Sequence, residues 1–384
     1  MSSGAGGFAA FGGAPLLPRT RPAGNQPDWP RTEKAIRGIF SRHYFANNGP
    51  LVRSLDRALA EEMQVAHAVC VTNETVAMTV LATALEVRGE VVMPGLAFPA
   101  LAEGMQWAGL APVFCDVDPA THTITAGLAA PRVGSRTAAI AGAHLWSRPC
   151  DPEALQVLAA QCKLPLVFDA TQAAGSMIRG DCIGSFGKGQ AFSLHASGVL
   201  NGGEGGFVTT NDDRLADRLR TIRNFRSSET FAPSSLRTNG KMSEMQAALA
   251  LLSLEDLPRN IAANRERYAA YAENIEGIRG ISLLPCAEGS NFQYIVLDVD
   301  ARTAGIGRDV LGKVLRAENV LGPGTTVPRA APGDFPVAQS ISSRLLPLPN
   351  GSLFGKDEIA GICELVRRAA IHAEEVTARI GPNP

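Results

Sequence analysis

Seven short runs rich in Val, Ala and Ile constrain this chain most: Ala68–Val71, Glu90–Met93, Pro112–Asp116, Ala138–Ala143, Pro165–Asp169, Ala191–Ser193 and Gly206–Thr210. Helical stretches such as Val76–Leu85, Ala97–Ala108 and Pro152–Gln161 fall between several of them. Repeated β-α-β units of this kind predict an α/β fold built on a mostly parallel, seven-stranded sheet with helices on both faces. Helices are also expected from Ile36 to Val65, broken by Asn47-Asn48-Gly49-Pro50, and at Leu215–Phe225 and Ser243–Leu254, the last with Ser243 as N-cap.

Beyond Asn260 the pattern becomes a long helix, a strand at Phe292–Val299 and a final helix at Lys356–Ile380, which reads as a small C-terminal α+β domain. The expected division is a flexible or draped tail over residues 1–30, a large domain over 31–255 and a small domain over 256–384. The tail assignment rests on Gly, Ala and Pro with no helical or strand period. With 384 residues, 45% of them hydrophobic, the chain can bury a large core and a smaller one.

Charge excludes some functions. Lys plus Arg total 36 against 37 for Asp plus Glu, a formal net charge of −1. Neither nucleic acid nor an anionic membrane is expected as partner, and a small-molecule substrate is. No apolar run has the length of a membrane span and the first residues lack a signal peptide's pattern, so the expected location is the cytoplasm. The seven cysteines lack C-x-x-C spacing, which fits neither a disulfide framework nor a zinc site, and no metal is expected.

Three stretches carry chemistry. Val71-Thr72-Asn73-Glu74-Thr75 lies where a strand meets the helix from Val76, and backbone amides and hydroxyls at a helix N-terminus can seat a phosphate. On this stretch alone a simple N-cap by Asn73 or Thr75 is the better reading of the same residues. Val167-Phe168-Asp169-Ala170-Thr171-Gln172 ends a strand at the edge where open α/β sheets bind ligands. A carboxylate there can hold a pyridinium proton or merely cap a loop. Phe192-Ser193-Leu194-His195-Ala196-Ser197-Gly198, followed by Gly202-Gly203-Glu204-Gly205-Gly206, is by itself a glycine-rich hairpin.

Together and in this order, these stretches resemble the DegT/DnrJ/StrS family of pyridoxal-phosphate sugar aminotransferases, of fold type I, from about Asn47 to the final helix. The resemblance implies a cofactor site at Thr75, Phe98, Asp169, Gln172, Ser193, Gly198 and Asn239. Thr75 and Ser193 would touch the phosphate, Phe98 would stack on the ring, Asp169 would face the pyridine nitrogen and Gln172 the ring hydroxyl. Asn239 would reach the phosphate of a neighbouring subunit, which implies a homodimer. Gly203-Glu204-Gly205-Gly206-Phe207 and Thr210-Asn211-Asp212 match further.

Two positions depart from the family. Where its Ser-Phe-His-x-Thr-Lys stretch supplies the lysine that forms a Schiff base and shuttles protons, this chain has Gly198, which can do neither. Where the phosphate-seating turn usually has glycine it has Glu74, whose carboxylate would repel a dianion. Of the six lysines, Lys34, Lys163, Lys188, Lys241, Lys313 and Lys356, only Lys241 has a route to the pocket, and it reads better as a charge replacing an arginine.

His195, Glu74, Asp169 and Glu204 are therefore the candidate catalytic residues, as acid–base groups. His144 reads as a packed core histidine, and Arg148 and Arg226 as candidates to bind an anionic substrate. The implied function is an enzyme of amino-sugar or specialised-metabolite (antibiotic) biosynthesis acting on a sugar nucleotide or related metabolite without covalently bound cofactor. The alternatives are a dehydratase or transferase holding pyridoxal or pyridoxamine phosphate noncovalently, and a noncatalytic partner or regulatory subunit.

Overall fold

The computed structural model describes residues 7–146, 148–225, 238–321 and 330–381. The strands are β1 (His67–Val71), β2 (Glu90–Pro94), β3 (Ala111–Cys115), β4 (Thr137–Ala143), β5 (Leu166–Asp169), a short hairpin of β6 (Met177–Ile178) and β7 (Asp181–Cys182), β8 (Gly189–Ser193), β9 (Gly206–Thr210), β10 (Ile281–Leu283), β11 (Ile295–Val299) and β12 (Leu345–Leu348). Seven of them form one sheet in the order β1-β9-β8-β5-β4-β2-β3, and all seven expected runs are in it. Only the pairs made by β9 are antiparallel. Alternate side chains enter different cores: Val92, Ile140 and Phe168 pack on one face, Val91, Met93 and Val167 on the other. Burial on both faces is why these strands read as apolar runs rather than as alternating ones.

Register fixes the ligand edge. Asp169 pairs with Ala191 across β5 and β8, while Gly206 on β9 pairs with both Ser193 and Val71. The ends of β1, β5 and β8 thus converge, and the chain leaving Val71 enters the Glu74–Ala84 helix beside Ser193. Asn73 caps this helix, its side-chain oxygen accepting the Val76 N–H at 2.9 Å. That close passage needs Gly206, where a Cβ would lie 2.5 Å from the Asn73 carbonyl oxygen.

A second, antiparallel sheet, β10-β11-β12, packs with the helices Leu257–Ile275, Arg308–Ala317 and Lys356–Ile371 around Leu297, Leu311 and Ile362. The single final helix expected over Lys356–Ile380 is two helices, because His372 (φ −101°, ψ 28°) leaves the helical region between them.

From Gly7 onward the N-terminal segment is draped over the second core, which overturns the flexible alternative for these described residues. Phe8 and Leu17 are buried in the second core, with Arg368 stacked 4.7 Å from the Phe8 ring. The buried Glu318 accepts the N–H groups of Ala9 (2.7 Å) and Leu16 (2.8 Å). Farther along, the Gly24 N–H donates to the Asn350 carbonyl at 2.7 Å and the Gln26 N–H to Ser352 Oγ at 2.9 Å. A few large anchors among Gly, Ala and Pro leave no period, so composition conceals the docking.

Candidate active site

Asp169 ends β5 with its carboxylate buried, and Oδ1 accepts the Thr171 N–H at 3.0 Å and the Thr171 hydroxyl. Burial raises its affinity for a proton and the Thr171 bonds partly offset this. Glu74, the first residue of its helix, lies close enough to Asp169 and Glu204 to feel both charges. Burial first, then those carboxylates, push the Glu74 carboxyl up to about 7, against a hydrogen bond from Ser193 that favours the charged form.

Ser193 Oγ also accepts the His195 N–H at 3.2 Å. The His195 ring has its Nδ1 2.8 Å from Ser197 Oγ and accepts the Ser197 N–H at 3.2 Å. Nδ1 is thus an acceptor, so a neutral ring carries its proton on Nε2, the atom 3.8 Å from the Glu204 carboxylate. His195 and Glu204 are both exposed, and Glu74 and Asp169 lie deeper. The four candidate acid–base residues therefore form one connected group around Ser193.

Gly198 closes the turn that follows, its N–H donating to the His195 carbonyl at 2.9 Å. A Cβ there would lie 3.2 Å from the carbonyl oxygens of His195 and Leu200. Gln172 is buried behind Asp169, accepting the Trp146 N–H at 2.6 Å. Thr75 sits in the first turn of the Glu74–Ala84 helix, and its carbonyl accepts the Thr79 hydroxyl at 2.7 Å. Phe98 is half-buried at the N-cap of the Pro99–Trp107 helix. Asn239 is exposed and bridges to Asn224, one residue before Gly240, whose carbonyl accepts the Thr72 N–H at 2.9 Å. Phe98 and Asn239 thus stand on other segments than the acid–base group.

Three further residues line the site unforeseen. Tyr294 carries a hydroxyl whose ionisation is opposed by burial and by the charges of Glu74 and Asp169. Gln293 donates through Nε2 to the Ser197 carbonyl at 2.9 Å. Trp146 meets Tyr294 edge-on, ring centroids 6.5 Å apart. The alternation of polar and aromatic residues in Asn291-Phe292-Gln293-Tyr294 before an apolar strand is the one sequence signal that could have found two of them.

His144 is a core residue, stacked on Phe168 with centroids 5.2 Å apart and held by burial at a pKa of about 4. Arg148 donates to the Ala120 carbonyl at 2.7 Å, and Arg226 lies outside the described residues. Lys241 lies 5.0 Å over the Phe225 ring and Lys188 is 3.8 Å from Asp212.

The sequence pattern of the DegT/DnrJ/EryC1/StrS aminotransferase family matches residues 30–367. The chain belongs to that family. Among family structures, DesI, solved in the presence of its TDP-sugar product, superposes with a TM-score of 0.90 at 34% identity, covering 98% of this chain and 99% of that one. A UDP-N-acetyl-3-dehydro-alpha-D-glucosamine 3-aminotransferase of Acidithiobacillus ferrooxidans is 30% identical over 329 residues, 82% of this chain and 88% of that protein. The L-glutamine:2-deoxy-scyllo-inosose aminotransferase of Streptomyces lividus is 29% identical over 429 aligned positions, 97% of this chain and 99% of its own. The resemblance drawn from the motifs and the fold type are thereby established. Among the described residues no helix is long and apolar enough to cross a membrane.

Proposed function

We propose that this family member is an enzyme of amino-sugar or specialised-metabolite biosynthesis that moves protons on a nucleotide-linked dehydro-sugar or related metabolite, without covalently bound pyridoxal phosphate. The observation that carries this reading is the grouping of the Glu74 carboxyl with Asp169, Ser193, His195 and Glu204 at the ends of β1, β5 and β8, where burial pushes Glu74 up to about 7. Two residues that the family resemblance assigns to a cofactor's phosphate end are affected. Ser193 Oγ takes the His195 N–H and lies beside the Glu74 carboxyl, and the seat beside Thr75 holds an acid where a dianion would sit. Gly198 offers no amine for a covalent attachment. A phosphate cofactor fits this end of the pocket poorly, although the buried carboxylate of Asp169 would still suit a pyridinium nitrogen.

The same groups suit proton transfer. A carbonyl acidifies the C–H beside it, and a carboxyl titrating near neutrality can both remove and return that proton. Glu74 is the deep acid–base group in this scheme, with Asp169 and the Tyr294 hydroxyl beside it. His195, with its proton on Nε2 beside Glu204, is the partner at the mouth. The test is NMR of nucleotide-linked dehydro-sugars in deuterium oxide. Wild type should exchange the C–H next to the carbonyl, and Glu74→Gln should slow this at least about tenfold. A borohydride-reducible cofactor adduct on any of the six lysines of the purified protein would overturn the reading.

The site is proposed to be completed in a homodimer in the cytoplasm. Exposed aromatic rings at Phe40, Phe45 and Phe225 (55%, 45% and 54% exposed) flank the segment carrying Asn48 and Asn239, an apolar surface suited to a second copy. Sedimentation should give one species of twice the chain mass at micromolar concentration. A folded monomer there would refute the dimer.

A further inference from the structure

Residues 24–26 and the His195–Asn201 loop approach each other more closely than side chains allow. Gly24 (φ +93°) is sandwiched between two other backbones. On one side a Cβ at Gly24 would lie 2.0 Å from the Ala196 carbonyl oxygen and 3.0 Å from Ser197 Cα. On the other, Gly24 forms a parallel bridge with Gly351, where a Cβ would lie 2.1 Å from the Gly24 carbonyl oxygen. One residue on, the Asn25 carbonyl accepts the Asn201 side-chain N–H at 3.1 Å, and Asn201 Oδ1 in turn accepts the Gly203 N–H at 2.8 Å. The contacts at Ala196 and Asn201 bracket Gly198.

The segment is itself fixed from behind. The Gly24 N–H is bound by the Asn350 carbonyl, the Gln26 N–H by Ser352, and the Asn25 side chain by Asn264 and Arg267. On the loop's other flank Gln293 holds the Ser197 carbonyl, and the Ala196 N–H donates to Gly203 at 3.0 Å.

We infer that residues 24–26 are a backbone strap that positions the His195–Asn201 loop, with Gly24 the positioning residue because only glycine permits this contact. The strap presses on Ala196 and Ser197, the residues that connect His195 to its own acceptor contact at Nδ1. It thereby sets which ring nitrogen of His195 carries the proton and where that ring stands. This role is independent of the reaction the site performs.

The test uses full-length protein with ¹⁵N-labelled histidine, where the six histidines make assignment tractable, together with amide exchange over residues 195–203. Gly24→Ala should move the ring nitrogens of His195 away from a pure Nε2–H pattern. It should also speed exchange of the loop amides about tenfold, the effect of about one lost hydrogen bond, while β5 exchanges as in wild type. Gly109→Ala is the control, since Gly109 has a comparable φ of +85° but its Cβ would meet nothing within 4 Å. It should leave His195 unchanged. Asn201→Asp, which keeps an acceptor for the Gly203 N–H but removes the donor to the Asn25 carbonyl, should also speed exchange of the loop amides and decides the matter if Gly24→Ala does not fold. A folded Gly24→Ala protein with wild-type His195 signals and loop exchange would overturn the inference. So would a Gly109→Ala effect on His195 of equal size, or an Asn201→Asp loop as protected as wild type.

Discussion

Gly198→Lys alone should bind pyridoxal phosphate about a hundredfold more weakly than the double variant Gly198→Lys/Glu74→Gly. A unit charge about 4 Å from another costs roughly 4 kcal/mol at an effective dielectric near 20, so even half of that corresponds to more than tenfold in affinity. The lysine itself meets only a modest obstacle, because the Cβ contacts of 3.2 Å with the His195 and Leu200 carbonyls require shifts of a few tenths of an ångström. Since Glu74 takes up a proton near 7, the single variant should bind more tightly as pH falls through that value, and the double variant should lack this dependence. Equilibrium dialysis of wild type, both single variants and the double variant supplies the comparison, followed by a half-reaction with glutamate. Equal affinity of Gly198→Lys and the double variant would show that Glu74 does not oppose the phosphate. Tight binding by wild type would favour a noncovalently held cofactor.

The Glu74→Gln protein should be more stable than wild type at pH 8 by about 3 kcal/mol, and the two should be equal near pH 4. Burial and the neighbouring carboxylates raise the folded-state pKa of Glu74 to about 7, above the 4.5 of an unperturbed glutamate. Between these values the folded protein holds a proton that the unfolded chain has released. Stability from this group is therefore full below about 4.5, falls as pH rises toward 7 and is level above it. A shift of about two and a half units corresponds to roughly 3 kcal/mol. Glutamine, neutral throughout, avoids the loss while retaining a partner for Ser193. Urea midpoints at matched protein concentration measure the difference, and one that does not change with pH would refute the burial of Glu74.

The large sheet was legible because its strands are buried on both faces, so Val91–Met93 or Val167–Phe168 announce themselves without alternation. Asp169 stood out for a related reason: it ends such a run, at the edge where open α/β sheets bind ligands, whereas the Ser193 stretch read as a glycine-rich hairpin and gained a role only through the family resemblance. The capping role of Asn73 was one of two readings of its motif, and only the helix start at Glu74 decided it. Tyr294 and Gln293 were marked only by the polar–aromatic alternation of Asn291-Phe292-Gln293-Tyr294, which does not report that this stretch, just ahead of β11, reaches the pocket. The docking partners of residues 8–26 were not legible either, since anchors such as Phe8 and Gly24 act singly and meet the His195–Asn201 loop and the last third of the chain, both far away in sequence.

The joining of residues 24–26 to Asn201 and Ser352 also bears on how the protein is made. These partners lie 176 and 326 residues away along the chain. Contacts of such high sequence separation form late, after the entropy of closing very long loops has been overcome. During synthesis the large sheet can assemble while residues near Ser352 are still within the ribosome. The His195 loop then waits for the C-terminal third to emerge and trap the N-terminus against it, so a chain truncated before Asn350 would fold much of its framework and leave its acid–base loop unset.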